Sequence, residues 1–280
     1  MNHVDVLALK RNAGLSLANK SLVSRATGSF FTHERIGRFM NERLVPLLVQ
    51  AQRQAISVAD PFAGDGRLVY WLIECAVREG VRARWKISLW DNSSASLAAA
   101  RQRFDLLAEN TGADIEVDFV CADSFELIRE HEGSFDVVVT NPPWEALKPD
   151  RRELAELTPK DRDIYVGRMR AVDRRLAQVY PHSQPTRKFA GWGTNLSRVG
   201  FEASVRLLAD GGHLGIVLPS STFADQVSTP LRHWATERLS LKCTGYFPAE
   251  ARLFENVDQA SMALVGTKNR TPEQQFDLHV

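Results

Sequence analysis

Cysteine is scarce in this chain. The three present, Cys75, Cys121 and Cys243, are far apart and odd in number, which excludes a disulfide-built scaffold. Cys121 lies in an apolar, strand-like run and is expected in the core. The seven histidines show neither a paired helical spacing nor a neighbouring CxxC, so no metal centre is expected. Long hydrophobic runs are missing as well. Met1–Leu17 has no sustained apolar segment, and no stretch of eighteen apolar residues occurs anywhere. That leaves no targeting or membrane-spanning segment and makes the cytoplasm the expected compartment. An excess of charge is also absent. A formal charge of +1 over 280 residues removes the simplest argument for a nucleic-acid partner. Lysine supplies only eight of the 35 basic residues. The other 27 are arginine, whose planar fork suits phosphate, although GC-rich codon usage produces the same bias.

What is present suffices for a large core: 44% of the residues are hydrophobic, and the length suits one α/β domain. Strand and helix signals alternate. Ile56–Ala59 is a short apolar run, followed by helical periodicity over Leu68–Val77. Trp85–Trp90 reads as a strand, Ala95–Leu107 as a helix and Ile115–Cys121 as a strand. Phe135–Thr140 is a nearly continuous β-branched run, the signature of a strand buried on both faces. Leu196–Leu208 has helical periodicity ended by Gly211-Gly212, then His213–Leu218 reads as a strand. Leu239–Tyr246 and Ala260–Gly266 form a closing pair of strands. The alternation specifies a doubly wound, mostly parallel α/β sheet with helices on both faces. One segment breaks the rhythm. Residues 145–190 lack a strand signal and carry eleven Lys/Arg against seven Asp/Glu, with a helix expected over Lys160–Val179.

In such a sheet, ligands bind beyond the carboxyl ends of the strands. Three acidic residues fall at such ends. Asp60 opens the turn Asp60-Pro61-Phe62-Ala63-Gly64-Asp65-Gly66, whose glycines let the backbone approach a ligand. Asp91 follows the second strand, where a carboxylate commonly accepts from ribose hydroxyls. Asp123 follows the third, ahead of Ser124. The turn has neither the G-x-G-x-x-G spacing of a dinucleotide fingerprint nor a phosphate loop's G-K-[ST]. Acids there would also repel a pyrophosphate. A cationic nucleoside fits the charges, and S-adenosylmethionine is the candidate cofactor. The plainer alternative is that Asp60 and Asp91 merely cap helices.

The fourth strand runs into Asn141-Pro142-Pro143-Trp144. Two prolines cannot continue a ladder, so the chain leaves as a rigid extended loop. That fixes the Asn141 side-chain oxygen and the Pro142 carbonyl as two acceptors, matching the two hydrogens of an exocyclic amine. Accepting both draws the nitrogen lone pair out of ring conjugation. Trp144 adds a flat face on which a base can stack.

Asp60–Gly66 together with Asn141–Trp144 resembles the amino-methyltransferases, specifically the gamma-class N6-adenine DNA methyltransferases of restriction–modification and type IIG-like systems. The likeness runs from about Gly28 to Thr267. The resemblance implies a seven-stranded Rossmann-like fold in one catalytic domain over residues 1–280, with the charged insert at about 145–190 and no separate target-recognition domain. It implies S-adenosylmethionine held by Thr32, Asp60, Pro61, Ala63, Gly64, Gly66, Asp91, Asp123 and Ser124. It implies catalysis by Asn141, Pro142, Pro143 and Trp144, and substrate contacts from Trp144, Asn195 and Phe254. Phe254 stands where the family's aromatic stacks on the extruded adenine, and Phe247 is a rival for that place. Trp144 replaces the family's commoner tyrosine, keeping the stack and losing the hydroxyl.

The implied partner is DNA, with specificity from a partner subunit, a longer parent chain or the insert itself, where Arg151, Arg152, Arg174 and Arg175 are candidate phosphate contacts. The alternatives are an RNA exocyclic-amine methyltransferase, or a catalytically idle cofactor-binding subunit of a larger assembly.

Overall fold

The computed structural model describes residues 32–149, 154–155, 157–188, 191–254, 259–269 and 277–279. The leading segment Gly28–Phe31, Arg151 and Arg152, and residues 255–258 therefore lie outside the described residues.

Helix α1 (Glu34–Ala51) turns Ile36, Met40, Leu44 and Leu48 inward at helical spacing. Strand β1 (Ala55–Asp60) follows, then α2 (Arg67–Arg78), β2 (Arg84–Asp91), α3 (Ser94–Thr111) and β3 (Ile115–Cys121). A short α4 (Ser124–Leu127) leads to β4 (Phe135–Thr140). Beyond it come α5 (Pro159–Val179), α6 (Leu196–Leu207), β5 (Leu208–Pro219), and the helices α7 (Ser221–Ala224) and α8 (Thr229–Thr236). Strands β6 (Leu239–Phe247), β7 (Ser261–Lys268) and β8 (Asp277–His279) complete the sheet.

The spatial order is β3-β2-β1-β4-β5-β7-β6-β8. The strands from β3 to β5 are mutually parallel, and β7 is antiparallel to both β5 and β6. The sheet has eight strands among the described residues rather than the expected seven, because the three-residue β8 joins the outer side of β6. From β1 the chain winds outward through β2 and β3, then returns to β4 and winds the other way. The direction reverses between β1 and β4, so the crevice of the fold opens at their carboxyl ends.

Strand β4 is buried on both faces, as its β-branched run predicts: Val137 and Val139 face α1 and α2, while Val138 faces the layer of α5 and α6. Two expectations need correction. Cys121 is exposed rather than core, because it closes β3, an edge strand of the sheet with no strand on its outer flank among the described residues. Gly211-Gly212 does not stop a helix. Strand β5 already begins at Leu208, and its pairing with β4 shifts register between Phe135 and Val137. A Cβ on Gly212 would stand 2.9 Å from the carbonyl oxygens of Ala209 and Phe135, so that glycine serves a bulged strand. No described helix is long and apolar enough to cross a membrane.

Candidate active site

The turn after β1 is built by its own hydrogen bonds. Asp60 Oδ1 accepts from the Phe62 backbone N–H at 3.1 Å and from Thr140 Oγ1 at 2.6 Å. Asp60 is 1% exposed, and its Oδ2 is buried with no hydrogen-bond partner among the described residues. Burial is the main cause that pushes its pKa up to about 7, helped by the charges of Asp91 and Asp65 against the two hydrogen bonds. A buried carboxylate oxygen with nothing to accept from is costly. A cationic donor would remove that cost; the ammonium of S-adenosylmethionine is such a donor, and its sulfonium adds positive charge without a hydrogen to donate.

The second strand end is knitted to the same turn. Asp91 Oδ2 accepts from Gly64 N at 2.9 Å and its Oδ1 from Ser93 N at 2.7 Å. Ala63 N donates to Trp90 O at 2.9 Å. Asp123 Oδ1 accepts from Phe125 N at 3.0 Å and caps α4, with Ser124 buried beside it. All three acids thus accept from the N–H two residues on, the local turn that aspartate favours. Helix capping accounts for Asp123 alone, because the helices after Asp60 and Asp91 have Gly66 and Ser93 as their N-caps. It leaves the buried Oδ2 of Asp60 unexplained.

The glycines divide their work. Gly64 and Gly66 both have positive φ, 54° and 73°, which favours glycine at each. A Cβ on Gly66 would meet Phe104 at 2.9 Å, so this glycine serves the packing of α3 rather than the approach of a ligand. Between them, Asp65 accepts from Arg67 and Arg103. Burial alone would raise its pKa, but those hydrogen bonds and charges outweigh it and hold the carboxyl below the usual range.

Across the crevice, β4 ends at Thr140 and releases Asn141–Trp144. Asn141 Nδ2 donates to Thr32 Oγ1 at 3.0 Å, directing the amide oxygen along the other branch of the side chain. The loop is then fastened to the start of α6: Leu196 N donates to Glu145 O at 2.7 Å and Leu147 N to Thr194 O at 2.9 Å. Pro142 is buried against Gly200 of α6, where a Cβ would come within 2.3 Å of the proline ring. Asn195 Oδ1 accepts from the Ser197 and Arg198 N–H groups and from Ser197 Oγ. The structure thus uses this oxygen as the N-cap of α6. Trp144 packs against Phe254, ring centroids 4.8 Å apart and planes 59° from parallel. Phe247 instead lies edge-on to Phe39 of α1, so of the two rival aromatics it is Phe254 that meets Trp144.

Sequence reading missed three contributors. Thr140, the polar end of an apolar strand, was in view but its bond to Asp60 was not. Gly200 is signalled only as a glycine inside a helical run. The contact between Thr32 and Asn141 joins residues 109 apart, and no local pattern announces it. The insert is also corrected in part. Arg175 pairs with Glu126 and reaches Asp123 at 3.5 Å, so it is spent on the protein, whereas Arg174 is exposed.

A model of the UPF0020 family, described as an RMKL-like methyltransferase domain, matches residues 40–190. No curated protein sequence matches the chain. Among solved structures, the chain resembles a Listeria monocytogenes protein described as a class I S-adenosylmethionine-dependent methyltransferase, at 14% identity and a TM-score of 0.60, covering 97% of this chain and 69% of that one. It resembles the methyltransferase subunit of a Streptococcus thermophilus type I restriction–modification system at 16% identity and a TM-score of 0.55, covering 94% and 53%. The type IIG restriction endonuclease BpuSI aligns at 20% identity and a TM-score of 0.61, covering 90% and 27%. The chain therefore spans about two thirds, half and a quarter of these three proteins. The shared feature is the fold, that of S-adenosylmethionine-dependent methyltransferases.

Proposed function

Because this chain belongs to the UPF0020 family of RMKL-like methyltransferase domains, we propose that it transfers a methyl group from S-adenosylmethionine to N6 of an adenine extruded from DNA. One observation carries the reading: Asp60, whose Oδ2 is buried and without a hydrogen-bond partner among the described residues, and the Asn141-Pro142-Pro143-Trp144 loop stand at the carboxyl ends of the neighbouring strands β1 and β4, joined by the 2.6 Å bond from Thr140 to Asp60. Acid on one side suits a cationic donor, and two acceptors on the other suit an amine.

Bound there, S-adenosylmethionine supplies a methyl group made electrophilic by its sulfonium. The chain's residues do the rest. Asp60 offers its carboxylate to the cofactor's positive charge, and the carboxylates of Asp91 and Asp123, at and just beyond the ends of β2 and β3, suit hydroxyl and amine donors. Pro61, Ala63, Gly64 and Ser124 shape the walls. Asn141 Oδ1 and the Pro142 carbonyl accept the two amine hydrogens and aim the nitrogen, a pre-paid orientation that lowers the barrier. Extruding the base costs a few kcal/mol, and stacking on Trp144, with Phe254 opposite, returns about 1–3 kcal/mol per ring.

Exposed basic residues on α5, Lys160, Arg168, Arg170 and Arg174, provide a surface for backbone phosphates. We assign the chain one catalytic unit, with this insert as its DNA-facing helix. Target specificity would come from a partner subunit or from a longer parent chain, in a restriction–modification or phage-defence setting.

The test is transfer of a tritiated methyl group to duplex DNA, RNA and protein offered separately. Label on DNA, recovered as N6-methyladenine, is the expected result. Asn141→Ala should keep cofactor affinity within about twofold and lose at least about a hundredfold in turnover, the scale of losing a pre-organised polar contact to the reacting group. Label on RNA or protein alone would refute the DNA assignment.

A further inference from the structure

Thr32 is 3% exposed and held from two sides. Its carbonyl accepts from Arg67 Nη1 at 3.4 Å, and Arg67 is itself forked onto Asp65 in the turn after β1. Its hydroxyl accepts from Asn141 Nδ2 at 3.0 Å. On the far side, Thr140, the residue before Asn141, donates to Asp60. The contacts form a circuit around the crevice, from Asp60 through Thr140, Asn141, Thr32 and Arg67 to Asp65.

A primary amide has two unlike ends: its NH2 only donates and its oxygen only accepts. An exocyclic amine presents hydrogens, so only the orientation with Oδ1 toward the amine is productive. The Nδ2 hydrogens must then find an acceptor on the other side, and Thr32 Oγ1 is that acceptor. The opposite flip would set amide hydrogens against amine hydrogens.

We propose that Thr32 is a positioning residue for methyl transfer: its hydroxyl takes the Nδ2 hydrogen of Asn141 and locks the amide plane with Oδ1 facing the substrate amine. The inference rests on the reading of Asn141 as the amine's acceptor. It goes beyond the family resemblance, which gives Thr32 a contact with the methionine end of the cofactor. The Arg67 and Asp65 contacts also make Asn141's orientation depend on the cofactor turn.

Two measurements on the full chain test it. The first needs no turnover: the side-chain ¹⁵N–¹H₂ signals of Asn141, assigned by their loss in Asn141→Asp. They should be widely separated and exchange-protected in the wild type and collapse toward exposed-amide positions in Thr32→Val, while Thr32→Ser keeps them. The second is kinetic. Thr32→Val should lower kcat about tenfold, the scale of one lost hydrogen bond to a group left buried, with Kd and KM for S-adenosylmethionine within twofold of wild type. Thr32→Ser should recover kcat to within about threefold. Unchanged amide signals in Thr32→Val overturn the proposal. So does a raised KM for the cofactor with unchanged kcat, which would make the hydroxyl a cofactor ligand. If the wild type methylates RNA and not DNA, the DNA reading fails. The same kcat split is then read on RNA, and its absence there overturns the positioning role.

Discussion

Asp60 combines burial, two donors on one oxygen and none on the other, and its titration has consequences that can be worked out in sign. Its pKa rises from an ordinary 3.8 to about 7 because burial favours the neutral acid. A raised carboxyl pKa means the unfolded chain releases the proton first. The contribution to stability is therefore complete below about pH 4 and declines as the pH rises to about 7. Without cofactor, the protein should lose stability across that window through this group, and Asp60→Asn should flatten the decline in a chemical-denaturation series. Cofactor binding runs the other way. A cationic ligand needs the ionised acid, so affinity should rise with pH up to about 7 and then level, with proton release on binding near pH 6. Calorimetry in two buffers of different ionisation enthalpy reads that proton directly. Affinity independent of pH between 5 and 8 would separate Asp60 from the ligand's charge.

The elements position these residues by close approach, and the contact of α6 with the Asn141–Trp144 loop is the tightest. Gly200 admits the Pro142 ring where any Cβ would stand 2.3 Å from it. Gly200→Ala must displace the loop or the helix. Turnover should fall at least about tenfold, since misplacement by an ångström can cost about a hundredfold; the same Cβ would stand 3.3 Å from the Phe62 ring in the turn after β1, so cofactor affinity should weaken too, but by less. On α5, Arg170 and Arg174 are exposed, and their joint replacement by alanine should weaken DNA binding at all sequences alike. The slope of log K against log salt should shrink by roughly one for each phosphate contact removed. An unchanged slope would assign the basic face to solvent. Much at this scale was legible beforehand. The β-branched run of β4 announced a strand buried on both faces, and the prolines announced its exit. The start of β5 was not legible, because a Gly-Gly pair ending a helix and one bulging a strand look alike without the opposing carbonyls. Nor was Cys121: an apolar run does not say that its strand lies at the sheet's edge.

For the whole molecule, the doubly wound, mostly parallel sheet followed from the alternation of elements, whereas the strand order with its reversal between β1 and β4 is seen only in the structure. What could not be read was mutual placement. Trp144 and Phe254 were expected to sandwich a base, yet they touch each other at 4.8 Å. A base between two rings needs about 7 Å, twice the ~3.5 Å van der Waals separation, so one ring must move when a base enters. The fold as a unit should respond to cofactor by mass action. S-adenosylmethionine at about a hundred times its Kd should add about 2.7 kcal/mol, raising Tm by roughly 5 °C for a chain of this size. Asp60→Asn should lose most of that rise.

The central seam of the sheet leads further. Strand β1 pairs with β2 over six positions from Ala55 to Asp60, but with β4 only at Val58 and Ala59. Side chains close both ends of the seam: Ser57 N and Oγ on Asp136 at the amino end, Thr140 on Asp60 at the carboxyl end. The β1 half and the β4 half of the sheet are thus sewn by two backbone positions and two side-chain stitches, one of which contains a titrating carboxyl. The carboxyl end of the seam should be the first part of the sheet's interior to exchange its amide hydrogens with solvent, and the part that cofactor slows most. Each half can diverge in sequence behind that narrow join, provided the stitches survive.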